Sequence, residues 1–185
     1  MDIKTAKAVV TGVSSGIGKE FMFQLAETGA QVLGGDINVS GNKSLQSLIE
    51  ERGLNAVVRE LDISDEVSVK AFMEEAEKTL GSINVLVNNA GILCDGVLVK
   101  EEIGWVRKLP IKQWKKTLDT NLTGNFLMTR EIAAHMVENQ IEDGVIVNIS
   151  SISTGGNVGQ SGYAASKAGV NSLTKTLAVE LAPYG

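Results

Sequence analysis

Tyr163 and Lys167 stand four residues apart in the run Ser161-Gly162-Tyr163-Ala164-Ala165-Ser166-Lys167-Ala168. The apolar spacing continues through Leu173, Leu177 and Leu181, so phenol and ammonium fall on one face of a helix. An ammonium beside a phenol stabilises the oxyanion and suits the hydroxyl to general acid/base work. Read by itself, this spacing is more often a surface tyrosine with a solvated lysine. Ser150, thirteen residues before Tyr163, offers a hydroxyl at the end of a β-branched run. Alone it is a strand-end serine.

A second group suits a phosphate-bearing ligand. Thr11-Gly12-Val13-Ser14-Ser15-Gly16-Ile17-Gly18 lies between a β-branched run and a helical pattern. Glycines there permit a tight turn and let backbone N–H groups approach a pyrophosphate, whose charge a helix N-terminus favours. The spacing is G-x-x-x-G-x-G rather than the commoner G-x-G-x-x-G, and a glycine-rich turn is often only a turn. Asp36, 24 positions beyond Gly12, follows the second run, where a carboxylate accepts hydrogen bonds from ribose hydroxyls. It would repel a 2′-phosphate, and no Arg or Lys in the glycine loop or just after Asp36 compensates, which favours NAD over NADP. Without the glycine loop, Asp36 is as readily a turn-forming residue. Asp62-Ile63 ends a third run and Asn88-Asn89-Ala90-Gly91 a fourth. Both reach the carboxyl ends of strands, where open α/β sheets bind ligands. Asn121 sits in a helical segment beside Gly124; as a poor helix former it is read as a helix distortion, a water holder, or a tolerated residue.

These residues need a scaffold. Ala8-Val9-Val10, Val32-Leu33, Ala56-Val57-Val58, Val85-Leu86-Val87 and Val145-Ile146-Val147 are short and bounded by polar or Gly residues. Such runs suit strands of a parallel sheet buried on both faces. Helical spacing lies between them. The first segment spans about 16–28 with Ile17, Phe21 and Leu25 as its stripe and Thr28-Gly29 as its stop. A second runs to Leu80, capped by Ser64, with Asp65 and Glu66 in its first turn and Gly81 ending it. Alternation of this kind predicts a doubly wound, Rossmann-like α/β fold in a single domain over 1–185. The stretch from Gly96 to Leu109 breaks the rhythm; it reads equally as a β-hairpin beside the site or a plain surface excursion. Pro110 is a local break before a helix, and no repeat or linker interrupts the chain. The last helix stops at Pro183-Tyr184-Gly185, where the alternation would feed another strand, so the chain is expected to be C-terminally incomplete, its fifth strand at an uncovered edge.

Composition narrows the function classes. The 185 residues are 43% apolar, and 17 Lys plus Arg against 22 Asp plus Glu give a net charge of −5, which argues against nucleic-acid binding. No apolar run is long enough to span a bilayer and no signal peptide is visible, so no membrane partner is expected. One cysteine, Cys94, excludes an internal disulfide and suits a reducing, cytoplasmic compartment; no metal-ligand cluster is apparent. The single histidine, His135, reads as a packing or surface residue, Cys94 as a passive thiol, and Trp105 and Trp114 as packing for the excursion and its helix.

In combination these residues resemble the classical short-chain dehydrogenase/reductase family over essentially the whole chain. Thr11 to Gly18, Asn88 to Gly91, Asn121, Ser150 and Tyr163 to Lys167 carry the likeness. The stretches 147–151 and 156–167 look most like the 3-oxoacyl-carrier-protein reductase and 3-hydroxyacyl-CoA dehydrogenase branch. The resemblance implies an oxidoreductase that moves a hydride between NAD(H) and a secondary alcohol or ketone, an acyl thioester among the candidates. Tyr163 would exchange the proton, Ser150 would hydrogen-bond the substrate oxygen, Lys167 would hold the nicotinamide ribose, and Asn121 would position a water. Gly12, Ser14, Ser15, Gly16, Ile17, Gly18, Asp36, Asp62, Ile63, Asn88, Asn89, Ala90 and Gly91 would seat the dinucleotide, with Ile63 beside the adenine. Many carrier-protein reductases prefer NADP, against the NAD that Asp36 favours. Family dimers and tetramers often pair through the helices that here begin near Gln113 and Tyr163, which implies a homo-oligomer, a dimer or tetramer in the complete form. They also continue into two further strands and a substrate lid. That absence leaves a second reading, a truncated and catalytically weak dinucleotide-binding regulatory or scaffold protein.

Overall fold

Each β-branched run forms a strand: β1 (Lys7–Thr11), β2 (Gln31–Asp36), β3 (Ala56–Glu60), β4 (Val85–Asn88) and, after a separate hairpin of β5 (Val99–Glu102) and β6 (Trp105–Lys108), β7 (Val145–Asn148). The computed structural model describes residues 2–39 and 43–184, the side chains of residues 43 and 44 excepted. Five strands form one parallel sheet in the order β3-β2-β1-β4-β7. The chain steps outward from β1 through β2 to β3, then crosses back to lay β4 and β7 on the other side of β1. The carboxyl ends of β1 and β4 therefore flank the point where the winding reverses, the place where such sheets bind ligands.

Helices cover both faces. α1 (Gly16–Glu27) and α2 (Lys43–Glu51) bury Met22, Phe23, Leu45 and Ile49 against Val10, Val32 and Val85. On the opposite face α3 (Glu66–Leu80) and α5 (Gly124–Glu138) bury Phe72, Met73, Met128 and Ile132 against Val9, Leu33 and Leu86. Arg130 of α5 reaches Glu66 of α3 at 2.7 Å. With Lys70, it holds that carboxyl below the usual carboxylate range. α4 (Ile111–Leu118) starts directly after Pro110, and α6 (Ser161–Leu181) packs beside α4 and α5. His135 is a packing residue: its Nε2 accepts from the Ile83 N–H at 3.0 Å, so Nδ1 carries the proton toward Glu77 Oε1, also 3.0 Å away.

The structure corrects four expectations. Only β1, β2 and β4 are buried on both faces; β3 and β7 border the sheet, and Val145 and Val147 stay 39% and 40% exposed because no described helix covers their face. The core seam of α1 is Gly18, Met22 and Ala26, one residue on from the expected stripe, and Ile17 is exposed. Gly18 sets that rotation, since it lies against the main chain of Gly12. The N-cap of α3 is Asp65, whose carboxylate accepts from Val67 and Ser68 N–H; Ser64 instead binds Asp62. Trp105 does not pack the excursion but is 58% exposed.

Of the two readings of the excursion, the hairpin is the one adopted. Glu102 pairs with Trp105 across a two-residue turn in which Gly104 takes a φ of +80°. The outer edge of β7 has no strand partner among the described residues. An apolar cavity of about 320 Å³ lies there, between α5, β7 and the last turns of α6.

Candidate active site

The glycine bend is built from the inside. Thr11, the last residue of β1, is 1% exposed, and its hydroxyl oxygen accepts from the N–H groups of Asn89 and Ala90 at 3.1 and 3.0 Å. Asn89 returns the contact, its amide donating to the carbonyls of Thr11 and Gly12. Gly12 has a φ of +76°, and a Cβ on it would lie 2.8 Å from Ala90 Cα. A side chain here would part the carboxyl ends of β1 and β4. Gly16 also needs its positive φ, +57°, but nothing lies within 4 Å of where its Cβ would be. That opening sits over the first turn of α1, whose N-cap Ser15 makes no side-chain cap bond. Uncapped N–H groups at a helix start form a ready anion site. Asp36 borders the bend: its carboxylate accepts from Ser14 N–H at 2.9 Å and Asn38 N–H at 3.0 Å.

The second half of the site comes from the start of α6 and the end of β7. Lys167 is 4% exposed; its Nζ donates to the Ile149 carbonyl at 2.6 Å and lies 5.9 Å from the centre of the Tyr163 ring. Burial pushes the ammonium below the ordinary lysine value. Ser166 ties the helix turn together, donating to the Tyr163 carbonyl at 2.7 Å while receiving the Asn121 amide at 3.3 Å. Ser150, just past β7, turns its hydroxyl to the Lys167 carbonyl at 3.3 Å.

Gly91 joins the two halves. A Cβ there would meet Asn121 Oδ1 at 3.2 Å and Lys167 Nζ at 3.8 Å, while its neighbour Ala90 is bonded to Thr11. The bend and the Tyr163–Lys167 pair thus converge on one crevice.

Asn121 lies in a π-helical turn, Asp119–Thr123, inserted between α4 and α5. Its side chain accepts from Ile92 N–H at 2.7 Å and donates to the Ile92 carbonyl at 2.9 Å. A water would therefore have to be held by main-chain groups, which a π-turn displaces from their α-helical partners.

Three residues expected to seat the dinucleotide are turned elsewhere. Asn88 is buried, its amide donating to Thr129 and Asn148. Ile63 is 5% exposed, and both its side chain and its carbonyl oxygen lie against Gly124. Asp62 is engaged by Ser64. Conversely, Thr11 and Asn148 organise the site more than their types suggested. Asn148 receives Asn88 and Asn125 and donates to Thr174, contacts between residues far apart in sequence. Asn148 was signalled only by its place at the carboxyl end of a strand, Thr11 also by opening the glycine motif.

The mouth is closed on one side by a polar clasp. Gly96 N–H donates to the Gly159 carbonyl at 2.7 Å, Gln160 donates to Asp95 at 3.0 Å, and Gln113 donates to the carbonyls of Cys94 and Asp95. Among the described residues, no group of three or more His, Cys, Asp or Glu could hold a metal.

Residues 6–185 match the family model described as short chain dehydrogenase. The chain belongs to this family. Its members carry out oxidoreduction with nicotinamide dinucleotides. One relative is the (2S)-[(R)-hydroxy(phenyl)methyl]succinyl-CoA dehydrogenase subunit BbsD of Thauera aromatica, 36% identical over all of this chain and 71% of that protein. The 3-oxoacyl-[acyl-carrier-protein] reductases FabG of Staphylococcus aureus and Thermotoga maritima are 37% and 38% identical over 98% of this chain and 70% of theirs. The likeness to the 3-oxoacyl reductase branch stands. No described helix of this short-chain dehydrogenase is long and apolar enough to cross a membrane.

Proposed function

We propose that the chain is an NAD(H)-dependent oxidoreductase interconverting a secondary alcohol and a ketone, with Tyr163 as general acid and base. Thioesters of 3-hydroxyacyl and 3-oxoacyl groups are the substrate class we favour, since relatives are named for CoA and acyl-carrier-protein substrates.

One observation carries the reading: a lysine, 4% exposed, whose ammonium is held 5.9 Å from the centre of a phenol ring at the crevice into which the glycine bend opens. Burying a cation beside a single carbonyl is unfavourable for folding, and perturbed groups of this kind cluster at functional sites. The open space above Gly16 and the uncapped start of α1 suit a diphosphate. Asp36 suits ribose hydroxyls and disfavours a 2′-phosphate.

The dinucleotide, when bound, supplies or takes up the hydride. The chain's own residues place the partners and move the proton. Tyr163 gives its proton to the carbonyl oxygen in reduction and takes one from the alcohol in oxidation. Lys167 favours the phenolate left behind and orients ribose hydroxyls. Ser150 rotates from the Lys167 carbonyl to hydrogen-bond the reacting oxygen. Asn121 contributes by fixing Ile92 and Ser166, which keeps the α6 turn against the crevice.

The test is Tyr163→Phe in the full-length protein, read by NADH fluorescence titration and by turnover of a 3-oxoacyl thioester. NADH binding stays and turnover falls by about 10²–10⁴, the usual weight of a positioned acid/base group. Turnover at the parent rate would end the proposal.

A further inference from the structure

Tyr163 is the group on which the proposed chemistry turns, yet its hydroxyl has no hydrogen-bond partner among the described residues. The phenol therefore stands where the first turn of α6 puts it, and whatever fixes that turn fixes its distance from the reacting oxygen. Ala164 N–H closes the turn on the Gln160 carbonyl at 2.7 Å, with Gln160 as the N-cap. Glutamine is a poor choice there, because favoured caps are short side chains that reach back to the helix N–H groups. Gln160 makes no such bond.

Its side-chain amide is directed elsewhere. The oxygen accepts from Ser153 Oγ at 2.9 Å and from Asn157 Nδ2 at 3.0 Å, and the nitrogen donates to the Asp95 carboxylate at 3.0 Å. Ser153 and Asn157 belong to the loop that leads away from Ser150. Asp95 belongs to the strap, residues 92–96, that continues from Gly91 at the crevice. Three side-chain amides hold this strap: Asn121 grips Ile92, Gln113 the carbonyls of Cys94 and Asp95, and Gln160 the Asp95 carboxylate. Of the three, only Gln160 stands at the head of the helix that carries Tyr163 and Lys167.

We infer that Gln160 is a positioning residue for the proposed reaction. Its amide joins the Ser150 loop, the strap and the Tyr163 turn at one node, and so holds the phenol and the serine hydroxyl at their working separation from the reacting oxygen. Gln160 acts through the turn beside it and touches no reacting atom. The inference rests on Tyr163 as the acid/base group.

The test is Gln160→Glu in the full-length protein, assayed with NADH and a 3-oxoacyl thioester alongside Tyr163→Phe. The new carboxylate still accepts from Ser153 and Asn157 but cannot donate, and it sets a second negative charge against Asp95. The single-turnover rate should fall about 10²-fold, the weight of a displacement of about 1 Å, while NADH binding, thioester binding and Tm stay close to the parent. Adding Asp95→Asn exchanges donor and acceptor across the same contact and should recover about tenfold of that loss. A parental rate in Gln160→Glu, with Tyr163→Phe inactive, would overturn the inference and leave the acid/base assignment intact. So would a fall that the second substitution does not recover, or one matched by an equal weakening of NADH binding, which would make Gln160 a residue of the fold alone. Turnover at the parent rate in Tyr163→Phe would remove the assignment itself, and the positioning role with it.

Discussion

The two sides of the crevice are built on different principles. On the glycine-bend side, β1 and β4 are buried on both faces, and Thr11, Gly12, Asn89 and Ala90 are interlocked at main-chain distance. On the Tyr163–Lys167 side, β7 borders the sheet with Val145 and Val147 about 40% exposed. Tyr163, Ser150 and Lys167 are tied there by single side-chain bonds to loops and a helix turn. The glycine-bend side is shaped like a core, which tolerates little change in volume. The Tyr163–Lys167 side resembles a surface into which one charge has been sunk. Rigidity and reactivity are therefore separable in this molecule, and substitutions can move one without the other.

Lys167→Met separates them most sharply. Turnover should fall by about 10²–10⁴, as for loss of a positioned acid/base system. Melting temperature should not fall, because the substitution removes a buried charge whose only acceptor among the described residues is the Ile149 carbonyl and leaves the stem's packing in place. The parent carries a pH signature that the variant lacks. Burial lowers the Lys167 value in the folded state below the ordinary 10.5. Between the lowered value and 10.5 the unfolded chain keeps a proton that the folded chain has released, so parental stability rises with pH across that window. Below the window the ammonium is charged in both states and contributes no slope. Urea denaturation at several pH values would test this; a variant retaining the parental slope would assign it to another group.

The same division separates what could be read from sequence from what could not. All five sheet strands were legible, because β-branched runs bounded by Gly and polar residues have few other uses. The helix distortion at Asn121 was also foreseeable, since a poor helix former beside Gly124 weakens the ladder locally. The face that α1 buries was not, because the approach of Gly18 to Gly12, rather than hydrophobic spacing, fixes the helix rotation. The inward turn of Asn88 was hidden too: its partners Thr129 and Asn148 lie 41 and 60 residues away. Local pattern reveals which residues reach the rim, while non-local hydrogen bonds decide which way they face.

A paired substitution measures the packing contrast directly. Val87 and Val147 are neighbours on the same ladder and of the same type, but 4% and 40% exposed. Val87→Ala removes buried methyl groups and leaves a space, which should cost about 2–3 kcal/mol. Val147→Ala should cost less, about 0.5–1 kcal/mol, because 40% of its surface keeps water in the folded state. Equal losses in chemical denaturation would mean that the β7 face is covered in the full-length protein, and would erase the contrast at that strand.

The smallest effect concerns the boundary of the rigid side. Asp36 both braces the bend, through Ser14 N–H, and presents a negative charge where a ribose would lie. Asp36→Asn keeps one amide oxygen to accept from Ser14 but loses the acceptor for Asn38 N–H, so stability should fall by about 1 kcal/mol or less while the charge is deleted. A carboxylate disfavours a 2′-phosphate by repulsion, and its removal should raise the kcat/KM for NADPH relative to NADH by about tenfold, or about 1.4 kcal/mol. Steady-state kinetics with both dinucleotides at fixed ionic strength would measure the ratio, since salt screens the repulsion. If the ratio stays constant while the melting temperature drops, Asp36 serves the bend alone. Any selection between NADH and NADPH would then have to arise from the shape of the cradle.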